Sequence, residues 1–206
     1  MEMSPSKRKI LDEALKLFSI NGYEATSIGQ IMDAVGIKKA SMYSHFKSKQ
    51  EILDTLIEEM AQRYEAHALF VKRDFDNKML AYDEHTKLTV DDMIKIIKEQ
   101  IGFLIHDTYF VMTRRFLTIE QFRNPRLAAL QNQSVYTDVF QYHKRLIEYL
   151  IANDIFVEGN VEMMALEFFA PISVQLYCIQ CDPSYEADAM DIIEQHVRHI
   201  YKLYSK

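Results

Sequence analysis

The sequence predicts an all-α chain of about nine helices, with a small basic head over residues 1–50 and a larger acidic helical body over residues 51–206. Three observations carry that expectation. Apolar residues recur at three- and four-residue spacing along nearly the whole length. Glycine and proline number only 5 and 4, too few for the tight turns of an all-β fold. Helix-start signatures, a Ser or Thr with Gln, Glu or Asp three residues on, stand ahead of several apolar stripes: Ser27 with Gln30, Ser48 with Glu51, Thr89 with Asp92.

Taken in order, Ile10, Leu11, Ala14, Leu15 and Phe18 form one stripe, and Ile28, Ile31, Met32 and Val35 a second. Gly36 supplies the left-handed residue of a tight helix–helix connection, and a short helix is expected from Lys38 to Phe46. Ser48 opens a long helix with Ile52, Leu53, Leu56, Ile57, Met60 and Tyr64 on one side. Residues 74–88 are rich in charge and lack clean periodicity, which predicts a loop. Thr89 and Asp92 open a helix carrying Met93, Ile94, Ile97, Ile101, Leu104 and Ile105, and another covers about 107–122. Asn124-Pro125 interrupts, because the residue before proline avoids helical backbone. The pattern resumes near 126 and runs to Ala152 with a break near 134. Glu158-Gly159-Asn160 is a turn with Asn160 able to cap. The apolar run from Val161 to about Gln180 contains Pro171, where a kink is expected and not an end. Asp182-Pro183 starts the last helix, whose stripe is Met190, Ile193, Val197, Ile200, Tyr201 and Tyr204.

Composition excludes several classes. About half the residues are hydrophobic and 26% are charged, as in an ordinary globular protein. No stretch of about 18 uncharged apolar residues is present, so no membrane span is expected. The N-terminal Met1-Glu2-Met3-Ser4-Pro5-Ser6-Lys7-Arg8-Lys9 has no apolar run after its basic residues, and the expected location is the cytoplasm. There Cys178 and Cys181 should be thiols, and at helical spacing they read as small buried packing residues. No metal site is expected, no cofactor is implied, and no nucleophile triad, phosphate loop or zinc-protease motif argues for an enzyme. The formal charge of −6 hides an asymmetry: residues 1–50 hold 8 basic against 5 acidic side chains, and the remainder holds 16 against 25. A basic head on an acidic body lets the head approach phosphates while the body is repelled from them.

The stretch from Gly22 to Leu53 concentrates the chemistry. The short helix after Gly36 presents Lys38, Lys39, Ser41, Tyr43 and Ser44 outward while Ala40, Met42 and Phe46 pack. Small and polar residues on a short helix after a glycine turn suit a DNA major groove. Lys and Tyr donate to phosphate oxygens, and Ser41, Ser44 and His45 reach bases or phosphates. Thr26 and Ser27 sit at a helix N-terminus, whose free amides also accept a phosphate.

At these residues the chain resembles the TetR/AcrR family of regulators. The resemblance lies in Phe18-Ser19-Ile20-Asn21-Gly22-Tyr23, then Thr26-Ser27-Ile28-Gly29-Gln30-Ile31, then Gly36-Ile37-Lys38-Lys39-Ala40-Ser41-Met42-Tyr43-Ser44-His45-Phe46-Lys47-Ser48-Lys49. It implies an N-terminal three-helix helix-turn-helix domain, a long fourth helix, and a helical ligand-binding and dimerisation domain. Thr26, Lys39, Ala40, Tyr43, His45 and Lys49 then become DNA contacts, joined by Ser27, Lys38, Ser41, Ser44 and Lys47. Two positions depart from the family pattern: Lys38 stands where a serine is usual, and Gly29 where a polar residue is frequent.

The resemblance further implies that the last two helices pair with a second copy. Phe169, Ile172, Leu176, Met190, Ile193, Val197, Ile200, Tyr201 and Tyr204 are the expected contacts of a homodimer. A twofold dimer would hold two reading heads about one DNA turn apart over a palindromic operator. An effector pocket is expected among Tyr64, His67, His106, Phe110, Thr113, Arg114, Phe140, His143 and Phe168, with His106, Phe110 and Thr113 aligned at i, i+4 and i+7. Such a lining suits an apolar or aromatic small molecule with one or two polar handles. The expected function is a ligand-responsive regulator, by default a repressor. The alternative is a helical adaptor that keeps the fold and binds protein instead of DNA.

Overall fold

The computed structural model describes residues 4–38, 42–82 and 86–206. Among these the chain is helical, with one isolated β-bridge and no strand. The helices are α1 (Pro5–Asn21), α2 (Ile28–Val35), α3 (Lys49–Met79), α4 (Val90–His106), α5 (Thr108–Glu120), α6 (Pro125–Gln131), α7 (Asp138–Ala152), α8 (Val161–Cys181) and α9 (Glu186–Tyr204). A π-helical segment, Asn132–Thr137, precedes α7, and a 3-10 turn, Pro183–Tyr185, precedes α9.

The helix starts follow the local chemistry. At α2 the Ser27 hydroxyl accepts from Gln30 N at 3.2 Å while the Gln30 side chain accepts from Ser27 N at 2.8 Å, a reciprocal box. Thr89 and Asp92 make the same box at α4. Asn124 and Asn160 cap α6 and α8. At α3 the box is offset by one residue: Ser48 Oγ accepts from Glu51 N at 3.1 Å, but the Glu51 carboxylate accepts from Lys47 N at 2.6 Å. Gly36 ends α2 in the left-handed region, φ 79° and ψ 30°.

Several expectations are corrected. The predicted loop over 74–88 begins only after Met79, because Phe75 and Met79 are buried and Lys78 pairs with Asp74 on its own helix and with Glu99 on α4, each at 3.0 Å. The break expected near 134 is a π-helical widening, not a loop. Pro171 lies inside α8 without ending it. The last helix starts at Glu186, after the turn that Pro183 opens. His106 closes α4 and Asp107 is extended (φ −70°, ψ 112°), so His106, Phe110 and Thr113 do not share one helix. Cys181 is exposed and Cys178 half-buried, both free, which corrects their reading as buried packing residues.

The chain forms two compact units. The first comprises residues to His67 together with Met112–Val135; the second comprises Ala68–Val111 with Tyr136–Lys206. In the first, Ile10, Leu11, Ala14, Leu15 and Phe18 of α1 are buried, as are Ile31, Met32 and Val35 of α2, and the two helices pack together. The Phe18 ring stacks on Phe116 of α5 at 5.5 Å and meets the edge of Tyr23 at 5.4 Å. Arg8 of α1 reaches Glu59 of α3 at 2.5 Å.

In the second unit α8 is central, packing against α4, α7 and α9. Phe168, Ala165, Ile147, Leu150, Phe156, Ile193 and Val197 are among its fully buried residues. Among the described residues α8 is the one helix long and apolar enough to cross a membrane by length and composition, with mean hydropathy 1.3. Glu162 and Glu167 lie within it, so it is not an uncharged stretch. Much of that apolar character faces protein, since Met164, Ala165, Phe168, Phe169, Ile172, Leu176 and Ile179 are buried. After α7, Phe156 pairs with Ser205 in the bridge, Val157 N donates to Tyr204 O at 2.8 Å, and Lys206 N donates to Ile155 O at 3.1 Å.

His143 sits within this core. Its Nδ1–H donates to Val139 O at 2.8 Å, and its ring lies 5.4 Å from Phe168 and 5.5 Å from Phe169. Burial pushes its pKa down to about 4 from the ordinary 6.5, against the opposing effect of the Val139 carbonyl. The unfolded chain therefore binds this proton more tightly than the fold does. Stability is fully present above pH 6.5 and falls as pH drops from 6.5 to about 4, a difference of about 3 kcal/mol. His143→Phe is expected to flatten that limb in urea denaturation across the pH range; an unchanged slope would contradict the assignment.

Candidate nucleic-acid interface

The turn between α1 and α2 is tied down by several hydrogen bonds. Gly22 closes α1 with φ 79° and ψ 168°, and its N–H donates to Phe18 O at 2.9 Å. Tyr23 N donates to Oε1 of Glu120, the last residue of α5, at 2.8 Å. The Thr26 hydroxyl donates to Gly22 O at 2.9 Å. From α3, Lys49 Nζ donates to Tyr23 O at 2.8 Å and to Thr26 O at 3.0 Å while lying 4.1 Å above the Tyr23 ring. The Tyr23 hydroxyl reaches Gln50 Oε1 at 3.1 Å. These contacts fix where α2 begins, and α2 with Gly36 fixes the approach to the reading segment.

In that segment Met42 and Phe46 are buried, as their expected packing role requires. Lys7 of α1 lies 4.8 Å from the Phe46 ring centre. Around this anchor Lys38, Tyr43, Ser44 and Lys47 are exposed and His45 is half-buried. Tyr43 is 54% exposed although it directly follows buried Met42 and precedes buried Phe46 by three residues. Ser27 is exposed at the start of α2. The expected contacts Lys39, Ala40 and Ser41 lie outside the described residues. The exposed group carries cationic and hydroxyl donors and no carboxylate, the character phosphate oxygens select.

Two of the expected DNA contacts are engaged within the turn itself. Thr26 is 0% exposed, and its hydroxyl is spent on the Gly22 carbonyl, so its side chain serves the turn. Lys49 is half-buried and its ammonium holds two carbonyls of the same turn. Glu120 was not foreseen. It lies 97 residues from Tyr23, and a single glutamate at a helix end carries no local signal of such a role.

The expected pocket residues are divided between the two units. Tyr64, His67, Thr113 and Arg114 belong to the first unit, and His106, Phe110, Phe140, His143 and Phe168 to the second. Within the second, Phe140 and His143 meet at Phe169, and Phe168 lies beside His143. His106 is removed from any lining role: its imidazole is largely exposed and 3.3 Å from Glu186. An interior cavity of about 10 Å³ lies instead beside Phe75, Met79, Leu88, Met93, Tyr142 and Leu146. That is at the lower limit for one water.

The expected dimer contacts are also corrected. Phe169, Ile172, Leu176, Ile193, Val197 and Ile200 are buried within the single chain, and Met190, Tyr201 and Tyr204 pack on the same core. The outward face of α8 carries Met163, Leu166, Val174 and Tyr177, and α9 carries Ile192 and Leu203, all exposed. Between these helices runs a groove of about 510 Å³ lined by Leu166, Ala170, Pro171, His196, His199 and Leu203. The steps of three from 163 to 166 and from 174 to 177 are visible in the sequence, but alternate with an equally apolar buried stripe. For the turn itself, Lys49→Met is expected to lower the unfolding free energy by about 1–3 kcal/mol in urea denaturation with the helical spectrum retained. Wild-type stability would return Lys49 to the status of a free phosphate contact.

Residues 10–56 match the family model described as bacterial regulatory proteins, tetR family. Over 52 residues the chain is 46% identical to IcaR of Staphylococcus epidermidis, the negative transcriptional regulator of the biofilm operon icaADBC; the match spans 25% of this chain and 28% of that relative. Among solved structures, one assigned as a TetR-family transcriptional regulator from Mesorhizobium loti superposes with TM-score 0.68 at 16% identity, covering 99% of this chain and 100% of that one. A protein of Saccharomonospora viridis assigned as a transcriptional regulator, in complex with choline, superposes with TM-score 0.61 at 20% identity over 99% and 100% of the two chains. Residues 10–56 are thus a helix-turn-helix domain of the tetR family of bacterial regulatory proteins, carried on a chain with the fold of that family's regulators.

Proposed function

We propose that the chain is a DNA-binding transcriptional regulator that represses from a palindromic operator as a homodimer and is released by a small apolar or aromatic effector. The observation that carries the DNA reading is the exposed set Lys38, Tyr43, Ser44 and Lys47 around buried Met42 and Phe46, inside the segment that matches the tetR family. IcaR's description as a negative regulator favours repression over activation.

The outward apolar stripes of α8 and α9 support pairing with a second copy. Leu166 and Leu203, 45% and 56% exposed, flank a groove that apolar side chains of a partner would fill. The effector reading draws on the choline complex of the Saccharomonospora viridis protein. An effector larger than a water would enter at the small cavity of the second unit by displacing the side chains around it. Met79 and Met93 are suited to that, being unbranched and adaptable, and the Tyr142 hydroxyl, which accepts from Gln100 Nε2 at 2.8 Å, offers a polar handle. A ligand that favours the opened state shifts the population away from the DNA-competent one by no more than its differential affinity.

Selection from random DNA is the test. It is expected to return a palindrome, with binding that weakens steeply with salt as phosphate contacts release counterions. Tyr43→Ala is expected to weaken that binding about tenfold without loss of helicity, and equal affinity would remove Tyr43 from the interface. Leu203→Glu is expected to give a monomer by sedimentation that no longer binds the palindrome; a dimer that survives the substitution would place the pairing face elsewhere.

A further inference from the structure

We infer that Glu120 is a positioning residue for DNA reading: its carboxylate, at the end of α5, fixes the turn from which the reading head is built, and so couples the head to α5. The inference rests on the DNA-binding reading above. Glu120 is only 3% exposed, and its Oε1 takes the Tyr23 amide proton at 2.8 Å. A buried carboxylate is tolerated only where donors satisfy it, and here the donor is the backbone of the turn. The approach is close enough that a Cβ at Gly22 would lie 2.9 Å from Oε1 and 3.3 Å from Ile119 Cγ2. Glycine at that position therefore admits the end of α5 as well as a positive φ.

The grip is two-sided. The carboxylate takes the N–H of Tyr23 and the Lys49 ammonium takes its C=O, so one residue's backbone is held between opposite charges. Four residues before Glu120, Phe116 stacks on Phe18, whose ring meets Tyr23. α5 thus presses the turn through both an aromatic and a charged contact on one face. The end of α5 is itself tied down: Glu120 O accepts from Arg123 N at 2.9 Å and Asn124 N at 3.0 Å, and Arg126 pairs with Asp54 of α3. α5 starts at Thr108 in the second unit and ends at Glu120 in the first. A displacement of this one helix is delivered to the turn as a changed position of the Glu120 carboxylate.

The distinction from a merely structural glutamate lies in reciprocity. If α5 and the reading head are coupled, operator binding must stiffen α5 as much as α5 steadies the head. The experiment compares wild type, Glu120→Ala, Glu120→Gln and Glu120→Asp with the operator selected on wild type. It reads affinity, hydrogen exchange at the Tyr23 amide, and exchange across residues 108–120 with and without DNA. Loss of a hydrogen bond to a charged acceptor predicts, for Glu120→Ala, about tenfold weaker binding and about tenfold faster Tyr23 exchange. DNA should then no longer protect residues 108–120. Glu120→Gln keeps an acceptor oxygen at the same reach and should recover most of the affinity and the protection. Glu120→Asp draws the carboxylate back by one methylene and should lie between; it carries the test if the alanine variant does not fold. Equal affinity in wild type and the alanine or aspartate variant, or undiminished protection of α5 by DNA in either, overturns the inference while leaving the regulator reading intact. Wild-type protein that retains no sequence from random DNA sinks the regulator reading itself.

Discussion

The backbone from Gly22 to Thr26 is held between a buried carboxylate and an ammonium, and the head of the molecule is organised around that hold. Without it, α1 and α2 would be joined by apolar packing, which is non-directional and tolerates sliding, and by the Lys9 ammonium's bond to Val35 O at 2.8 Å. Hydrogen bonds from Tyr23 N to Glu120, from the Thr26 hydroxyl to Gly22 O, and from Lys49 to two carbonyls remove that freedom. They satisfy groups that a tight connection between two short helices would otherwise leave bare. Everything downstream inherits the placement: the capping box of α2, the left-handed Gly36, and the anchors Met42 and Phe46.

Local chemistry was readable from the sequence and long-range chemistry was not. The boxes at Ser27 and Thr89, the Asn124-Pro125 break and the Gly36 turn all rest on residues within four positions of one another, and the structure contains each. Charge misled where packing prevailed. Asp74 and Lys78 read as loop residues, yet they pair along α3 while Phe75 and Met79 enter the core. Thr26 and Lys49 stand at positions matched to DNA contacts, and the structure spends both on the turn. Only three-dimensional proximity identifies that use, since their partners lie on other elements or behind the backbone. For the same reason Glu120 was invisible.

The two apolar stripes of α8 show a related limit. Periodicity marks which residues share a face, but not which face meets the same chain. Phe169, Ile172 and Leu176 are as apolar as Leu166, Val174 and Tyr177, and the first set is buried while the second is exposed. A helix apolar on both faces has two surfaces to cover, and in α8 the neighbours α4, α7 and α9 cover one. The cavity beside Phe75, Met79 and Tyr142, about 10 Å³, has room for no more than one water. Any molecule that enters has to trade places with side chains already there, so its affinity is reduced by the rarity of the open state.

Gly22 and Glu120 are also bound together as characters under selection. The backbone at position 22, φ 79° with ψ 168°, lies where essentially only glycine is at ease, and even a small replacement such as asparagine or aspartate would thrust a polar group at the carboxylate opposite. Aspartate would meet it with like charge; asparagine would need the acid to retreat. Drift at one position is thus admissible only after compensation at the other, nearly half the chain away. Related chains that have lost one of the two should have lost or altered both.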